Sequence, residues 1–253
     1  MSWKINIRTE IKIAVALIGM MLLIGFSERK QQSVVIKDVV VELDNLNENH
    51  FLDEADVSKL VQSEGQKLVG KHTDEINLKT IENKLMYDKH ILDAELYSDL
   101  KGNLVVNVEM RRPIARIVQS DAPDAYIAED GVIMPVSEKY TSRVVLISGH
   151  VKELLETQDL NKTEQGKQLM SMIEFVNDDK FWKAQVAQLD LSSNGKVTIY
   201  PQMTGQRIEF GKPDDIENKF RKLMIFYKRI LPQRGWTKYE RVNLEYEGQI
   251  IAE

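Results

Sequence analysis

Residues 13–26 (IAVALIGMMLLIGF) carry no charge, and Lys4, Arg8 and Lys12 precede them. This run constrains the chain most, because it decides on which side of a membrane everything after it folds. Its 14 residues fall short of the roughly 20 that cross a bilayer. Ile11 lengthens the run if Lys12 snorkels to the interface. The length also suits the core of a cleaved leader, and a buried core helix is a third reading. The run ends in Gly25-Phe26-Ser27-Glu28, without the small-x-small pattern of a cleavage site. That absence favours a retained single-pass anchor over 13–27, with a cytoplasmic tail at 1–12 and a polar linker at 28–33 (ERKQQS). Arg29 and Lys30 follow the run closely, so flanking charge alone does not orient it. Long domains translocate largely regardless of charge, which places the N-terminus in the cytoplasm and the bulk outside it.

The remainder is long enough for one large or two small domains with real cores. There are no cysteines, which excludes a disulfide, a thiolate-bound metal and a thiol nucleophile. The net charge of −5 is unevenly spread. Residues 42–99 hold 14 Asp and Glu against 6 Lys, a net of −8. Residues 219–241 hold Lys219, Arg221, Lys222, Lys228, Arg229, Arg234, Lys238 and Arg241 against Glu240 alone. An acidic front and a basic rear suggest two domains with different partners; a solvated surface is the plainer reading.

Residues 34–43 (VVIKDVVVEL) read as a strand. Asp53 then opens a helix as its cap, with Asp56 three residues on and Leu52 stapled to Val57. Asn77 caps a second helix, in which Leu78, Ile81 and Leu85 give the helical period. Residues 91–98 (ILDAELYS) and 104–111 (LVVNVEMR) read as strands joined by a turn. The predicted order is β-α-α-β-β.

That order resembles a POTRA domain, a small sheet with two helices on one face. The stretch LVVNVEMRRPIA at 104–115 is similar to the signature that leaves such a domain, an alternating strand running into Glu-Arg-x-Pro-x-Ala, with Met110 intervening before Arg111. Downstream, YIAEDGVIMP at 126–135 resembles a hairpin with an Asp-Gly turn, and VVLISG at 144–149 a further short strand. Residues 163–177 are helical in pattern. Residues 189–201 and 206–210 read as strands, with Asn194-Gly195 a hairpin turn. Pro213 is expected near the first position of a helix whose apolar face is Ile216, Phe220, Leu223, Tyr227 and Ile230, and which Pro232 stops. VNLEYEGQIIA at 242–252 resembles a terminal strand motif Asp-Leu-Arg-Tyr followed by a turn; Asn243 and Glu245 depart from it. A lone POTRA domain behind a short anchor, followed by these elements, resembles the bacterial division proteins of the FtsQ/DivIB family over residues 13–252.

No catalytic constellation is visible. His50, His72, His90 and His150 do not fall at i, i+4 spacing, and no phosphate-binding or nucleophile-elbow motif occurs. Acidic pairs such as Asp178/Asp179 and Asp214/Asp215 sit at expected helix starts and turns, where carboxylates serve as caps. The basic cluster in principle suits nucleic acid, against which stand the expected export and the acidic composition.

The expected fold class is therefore α+β: one N-terminal transmembrane helix, a POTRA domain at 34–112, then a mixed β-rich domain with flanking helices at 113–253. The chain is read as a non-enzymatic scaffold without cofactor, metal or small-molecule substrate. It is expected in the inner membrane at the division septum. The resemblance implies partners of the FtsB/FtsL (DivIC) type, bound by strand addition near the C-terminus, and other septal proteins on the POTRA domain. Carried over by position, the implied contacts are Tyr246, Gly248 and Glu245, with Lys219 and Lys222 on the neighbouring helix. From 242 to 246, one strand face would carry Val242, Leu244 and Tyr246, and the other, solvated, Asn243 and Glu245. The rival readings are an anchored envelope hydrolase with a POTRA-like targeting domain, and an outer-membrane assembly or secretion component. The first lacks a catalytic set, and the second usually continues into a membrane barrel.

Overall fold

The structure is a computed structural model and describes residues 16–21, 34–44, 49–62 and 68–253. Most of the expected membrane segment thus lies outside the described residues. Residues 16–21 are helical, and no helix among the described residues is long and apolar enough to cross a membrane. The chain divides into two compact units. Among the described residues the first comprises 16–21, 34–44, 52–62 and 68–109, the second 49–51 and 110–253.

The first unit holds β1 (Val39–Asp44), α1 (Glu54–Gln62), a 3-10 turn (Thr73–Glu75), α2 (Leu78–Leu85), β2 (Ile91–Ser98) and β3 (Leu104–Met110). Its sheet runs β1-β3-β2, with β1 parallel to β3. The start of α1 is a reciprocal cap: Asp56 N–H donates to Asp53 Oδ1 at 2.8 Å and Asp53 N–H to Asp56 Oδ2 at 3.1 Å. Asn77 Oδ1 accepts from Thr80 N–H at 3.1 Å and starts α2. Both helices present apolar stripes to one sheet face, where Val57, Leu85, Leu96 and Val106 are buried. The expected strand at 34–43 is split. Ile36 N–H bonds to Lys71 O, Lys37 N–H to Gly102 O, and the run joins β3 only from Val39.

The second unit opens with β4 (Pro113–Ile117), β5 (Ala125–Ala128), β6 (Ile133–Pro135) and β7 (Val145–Gly149). Next come α3 (Lys152–Thr157), a 3-10 turn (Leu160–Lys162), α4 (Glu164–Asp178) and α5 (Lys180–Gln185). The strands β8 (Val186–Leu191), β9 (Val197–Pro201) and β10 (Arg207–Gly211) follow. Then α6 (Ile216–Ile225), a π-helical turn (Phe226–Ile230) and α7 (Leu231–Arg234) lead to β11 (Arg241–Asn243) and β12 (Ile251–Ala252). The described strands form one sheet in the order β12-β11-β10-β9-β8-β7-β4-β5-β6. The Asp130-Gly131 and Asn194-Gly195 turns join antiparallel pairs, each glycine in the positive-φ conformation that such turns require. Ile127, Ile147, Leu189, Ile199 and Ile208 of the strands share one core with Leu169, Ile173, Phe220 and Leu223 of the helices. Residues 49–51 belong to this unit. Phe51 sits edge-on to Tyr126 and Tyr140, at 5.2 Å and 5.1 Å.

Two helix boundaries differ from expectation. Pro213 is not at the first turn; α6 begins at Ile216 behind Asp215, which has φ 46°. Lys219 Nζ donates to Lys212 O and to Asp214 Oδ1, holding residues 212–214 in a separate turn. Nor does Pro232 stop the helix. It falls in the first turn of α7, directly after the π turn. A widened turn removes the clash of the proline ring with the preceding carbonyls, and proline lacks only an N–H that a first turn leaves unused. The helical run ends at Gly235, φ 101°.

Candidate interaction edge

The last strands build one end of the large sheet. β11 lies parallel to β10, pairing Ile208 with Val242, and β12 folds back antiparallel on β11, pairing Val242 with Ala252. Arg241 N–H donates to Glu253 O at 3.1 Å and Glu253 N–H to Arg241 O at 2.9 Å. Neighbouring residues of an antiparallel strand alternate in hydrogen-bonding direction. With Glu253 turned toward β11, Ala252 therefore turns its N–H and C=O away from the sheet. Such unpaired groups are a template for another strand. Ile251 is partly exposed beside them, and Tyr246 is 51% exposed.

The expected strand at 242–246 is shorter than predicted. β11 stops at Asn243, and the chain turns at 246–248, with Gly248 at φ 68°. Tyr246 is thus on a turn, not on a strand face. Asn243 is also not solvated: it is 7% exposed. Its Nδ2 donates to Glu209 Oε2 at 2.8 Å and its Oδ1 accepts from Glu245 N–H at 2.9 Å. Val242 and Leu244 are fully buried, as expected of the inward face.

A set of ionic contacts holds this end in place. Arg241 grips Glu209 with two bonds, Nε to Oε1 at 2.7 Å and Nη2 to Oε2 at 2.8 Å. The Glu209 backbone carbonyl accepts from Leu244 N–H at 2.9 Å. Lys222 Nζ, reaching from α6, donates to both Leu244 O and Tyr246 O at 2.7 Å. Lys196 Nζ meets Glu245 Oε2 at 2.6 Å. The backbone of Gly211 lies beneath Glu245: a Cβ there would stand 2.6 Å from Glu245 Cγ. These contacts account for both departures from the expected motif. An aspartate at 243 would press a second carboxylate on Glu209, whereas the amide donates to it. Glu245 supplies the anion for Lys196.

Of the five residues carried over by position, Glu245, Tyr246 and Gly248 lie together on the exposed turn and Lys222 directly beneath it. Lys219 is 7% exposed and turned toward Lys212 and Asp214; it braces the start of α6. Glu209, Arg241 and Lys196 were not anticipated. Glu209 and Arg241 are 32 residues apart, and no spacing rule links such a pair. The same end carries an open cleft of about 760 Å³ lined by Gly205, Arg207, Lys238, Glu240, Arg241 and Glu253. No group of His, Asp or Glu among the described residues is placed to hold a metal ion.

The Arg241 hydrogen bonds hold the Glu209 carboxyl below its ordinary value of 4.5, against an opposing desolvation, with Asn243 adding to the downward shift. A depressed carboxylate contributes stability that is present above its unfolded value and is lost as pH falls through the folded one. The unit is therefore expected to lose stability below about pH 4.5, and Glu209→Gln to remove that part of the acid sensitivity while lowering stability at neutral pH. Urea midpoints for both proteins across the acid range measure this. Parallel curves would contradict it.

Desolvation, and then the nearby Lys219, lower the Lys222 pKa. Lys222 nonetheless donates to two backbone carbonyls, those of Leu244 and Tyr246. Lys222→Met is expected to cost about 1–3 kcal/mol, read as a lower urea midpoint with an unchanged slope. An unchanged midpoint would show that water replaces the ammonium without loss.

The class that this fold and edge define is a two-unit α+β interaction protein, with a helix-backed three-stranded domain ahead of a β-rich domain that ends in an open edge. The POTRA-like domain family matches residues 34–109, and the family described as FtsQ/DivIB, C-terminal related, matches residues 112–253. The chain belongs to the FtsQ/DivIB family, whose members are non-enzymatic scaffolds of cell division. No curated protein matches the chain.

Proposed function

We propose that this protein is a single-pass scaffold of the bacterial division machinery that recruits partners of the FtsB/FtsL (DivIC) type to the septum, and so helps control septal peptidoglycan synthesis. The observation that carries the reading is the exposed edge of β12 beside Tyr246, braced from below by Lys222 and by the Glu209–Arg241–Asn243 cluster. A braced edge is preorganised, so a partner strand gains main-chain hydrogen bonds without first ordering the receiving surface. Tyr246 offers an aromatic anchor of the kind favoured at interface hot spots. The anchor lies in 13–27, with the N-terminus in the cytoplasm. Its support is the uncharged run and the helical residues 16–21, where Leu17, Ile18, Met20 and Met21 are all exposed. Exposed apolar groups all round a helix suit lipid rather than a protein core. Affinity capture from envelope membranes tests the reading. Recovery of small single-span coiled-coil proteins is expected, and their absence beside a well-folded bait would contradict it.

A further inference from the structure

The second unit carries exposed apolar side chains on a firmly held tip. β4, β7 and β8 are parallel and β9 returns antiparallel. The loop 202–206 after β9 therefore lies at the end of the sheet where the chain enters at Pro113. β10 and β11 both start from that end, so the segment 232–240 leading into β11 lies there as well. The two are tied together: Gln206, itself buried, donates from Nε2 to Trp236 O at 2.8 Å. Gln202 N–H donates to Gln185 O at 2.7 Å and Gly235 N–H to Leu231 O at 2.8 Å, which fixes both segments to the body of the unit. On this tip Met203 is 77% exposed and Trp236 50% exposed, the indole centroid standing 6.2 Å from the ring of Tyr227.

Neither Met203 nor Trp236 belongs to the apolar core of the unit. A single exposed apolar side chain is ordinary; two on tied segments among cations are not. Arg234 and Lys238 stand two residues to either side of Trp236, both exposed, and residues 201–206 and 232–239 contain no Asp or Glu. Lys228 and Arg229, exposed on the π turn whose Tyr227 meets Trp236, extend the positive charge. Lys238 also lines the cleft that holds Glu240 and Glu253, where Arg241 engages Glu253 at 3.2 Å. An indole favours the boundary between lipid headgroups and chains. Lysine and arginine beside it pair with phosphates. Binding at a bilayer surface adds buried apolar area to attraction for anionic lipid, and this tip offers both.

We propose that this tip rests on the bilayer surface, with Trp236 and Met203 at the headgroup boundary and Arg234 and Lys238 on the phosphates of anionic phospholipids. The proposal rests on the anchor at 13–27, which keeps a bilayer within reach of the second unit. β11 begins five residues after Trp236, so a tip held in this way fixes how β11 and β12 are presented to a partner that emerges from the same bilayer.

The full chain is reconstituted in nanodiscs of phosphatidylcholine with or without phosphatidylglycerol, each prepared with and without bromine on the acyl chains, which quenches indole on contact. Subtracting the emission of Trp236→Phe isolates Trp236 from Trp3 and Trp182. Trp236 is expected to be quenched in the phosphatidylglycerol discs. The quenching is expected to be lost in the double variant Arg234→Glu, Lys238→Glu, and in about 1 M salt, where the screening length falls to about 3 Å. Circular dichroism checks that the variants keep their fold. Unquenched Trp236 in phosphatidylglycerol discs would overturn the proposal. So would equal quenching in pure phosphatidylcholine, because the cations would then have no part. A shift of Trp236 emission on adding an oligonucleotide, without bromine quenching, would assign the tip to a soluble polyanion instead. A chain that does not enter nanodiscs would contradict the anchor, and quenching by added vesicles of the same composition then tests the tip alone.

Discussion

Replacing Phe220 by alanine is expected to destabilise the second unit by about 3–5 kcal/mol. The ring is 1% exposed and lies where four elements meet. It stacks on Phe175 of α4 at 4.8 Å and tilts against Trp182 of α5 at 4.8 Å and Phe210 of β10 at 5.1 Å. Its ring touches side chains of two other helices and of the sheet, so the void cannot close by a shift of a single neighbour. Domain stabilities are about 5–15 kcal/mol in all, so the variant keeps only a fraction of its margin. The loss reaches the proposed binding edge as well, because β10 carries Glu209 and α6 carries Lys222. Chemical denaturation of parent and variant measures it, and a change below about 1 kcal/mol would show that the cluster packs more loosely than its ring distances indicate. Phe220→Leu keeps most of the volume and is expected to lose much less.

Tyr246→Ala is expected to behave in the opposite way, with folding intact and partner binding lost. The side chain is half exposed, and the bond that fixes the residue runs from Lys222 to its backbone carbonyl. Stability should change by no more than about 0.5 kcal/mol. Truncating an aromatic anchor typically costs about 2 kcal/mol of binding or more, roughly a thirtyfold weaker complex. Calorimetry with the captured division partner, alongside circular dichroism, separates the two quantities. A variant that folds and binds like the parent would remove Tyr246 from the interface.

Local signals in the sequence translate directly into structure. Asp53 with Asp56, Asn77 and the two Asp-Gly and Asn-Gly turns act within four residues of themselves, and each stands where its chemistry requires. The apolar period of Phe220 and Leu223 also gives the buried face of α6, and Tyr227 continues it into the π turn. What the sequence did not disclose depends on partners distant in the chain. Lys219 reads as a surface cation until Lys212 and Asp214 are seen to engage it. Asn243 reads as solvated until Glu209 arrives from β10. Pro232 reads as a stop until the π turn before it makes room. The exposed turn at 246–248 was legible as a region, through Tyr246 and Gly248, but its bracing by Glu209, Arg241 and Lys196 was not. The truncation that best removes the edge follows from these contacts. Deleting 249–253 takes away β12, whereas deleting from 242 also removes the buried Val242 and Leu244.

The most direct measurement is site-specific photocrosslinking in dividing cells, with the reactive side chain placed at Ile251 of β12 or at Leu100, an exposed residue of the first unit. Crosslinks from Ile251 to a small single-span division protein, lost in Tyr246→Ala and absent at Leu100, are the predicted result. A chain that reaches the septum and supports division without any adduct at Ile251 would contradict the assignment of this edge.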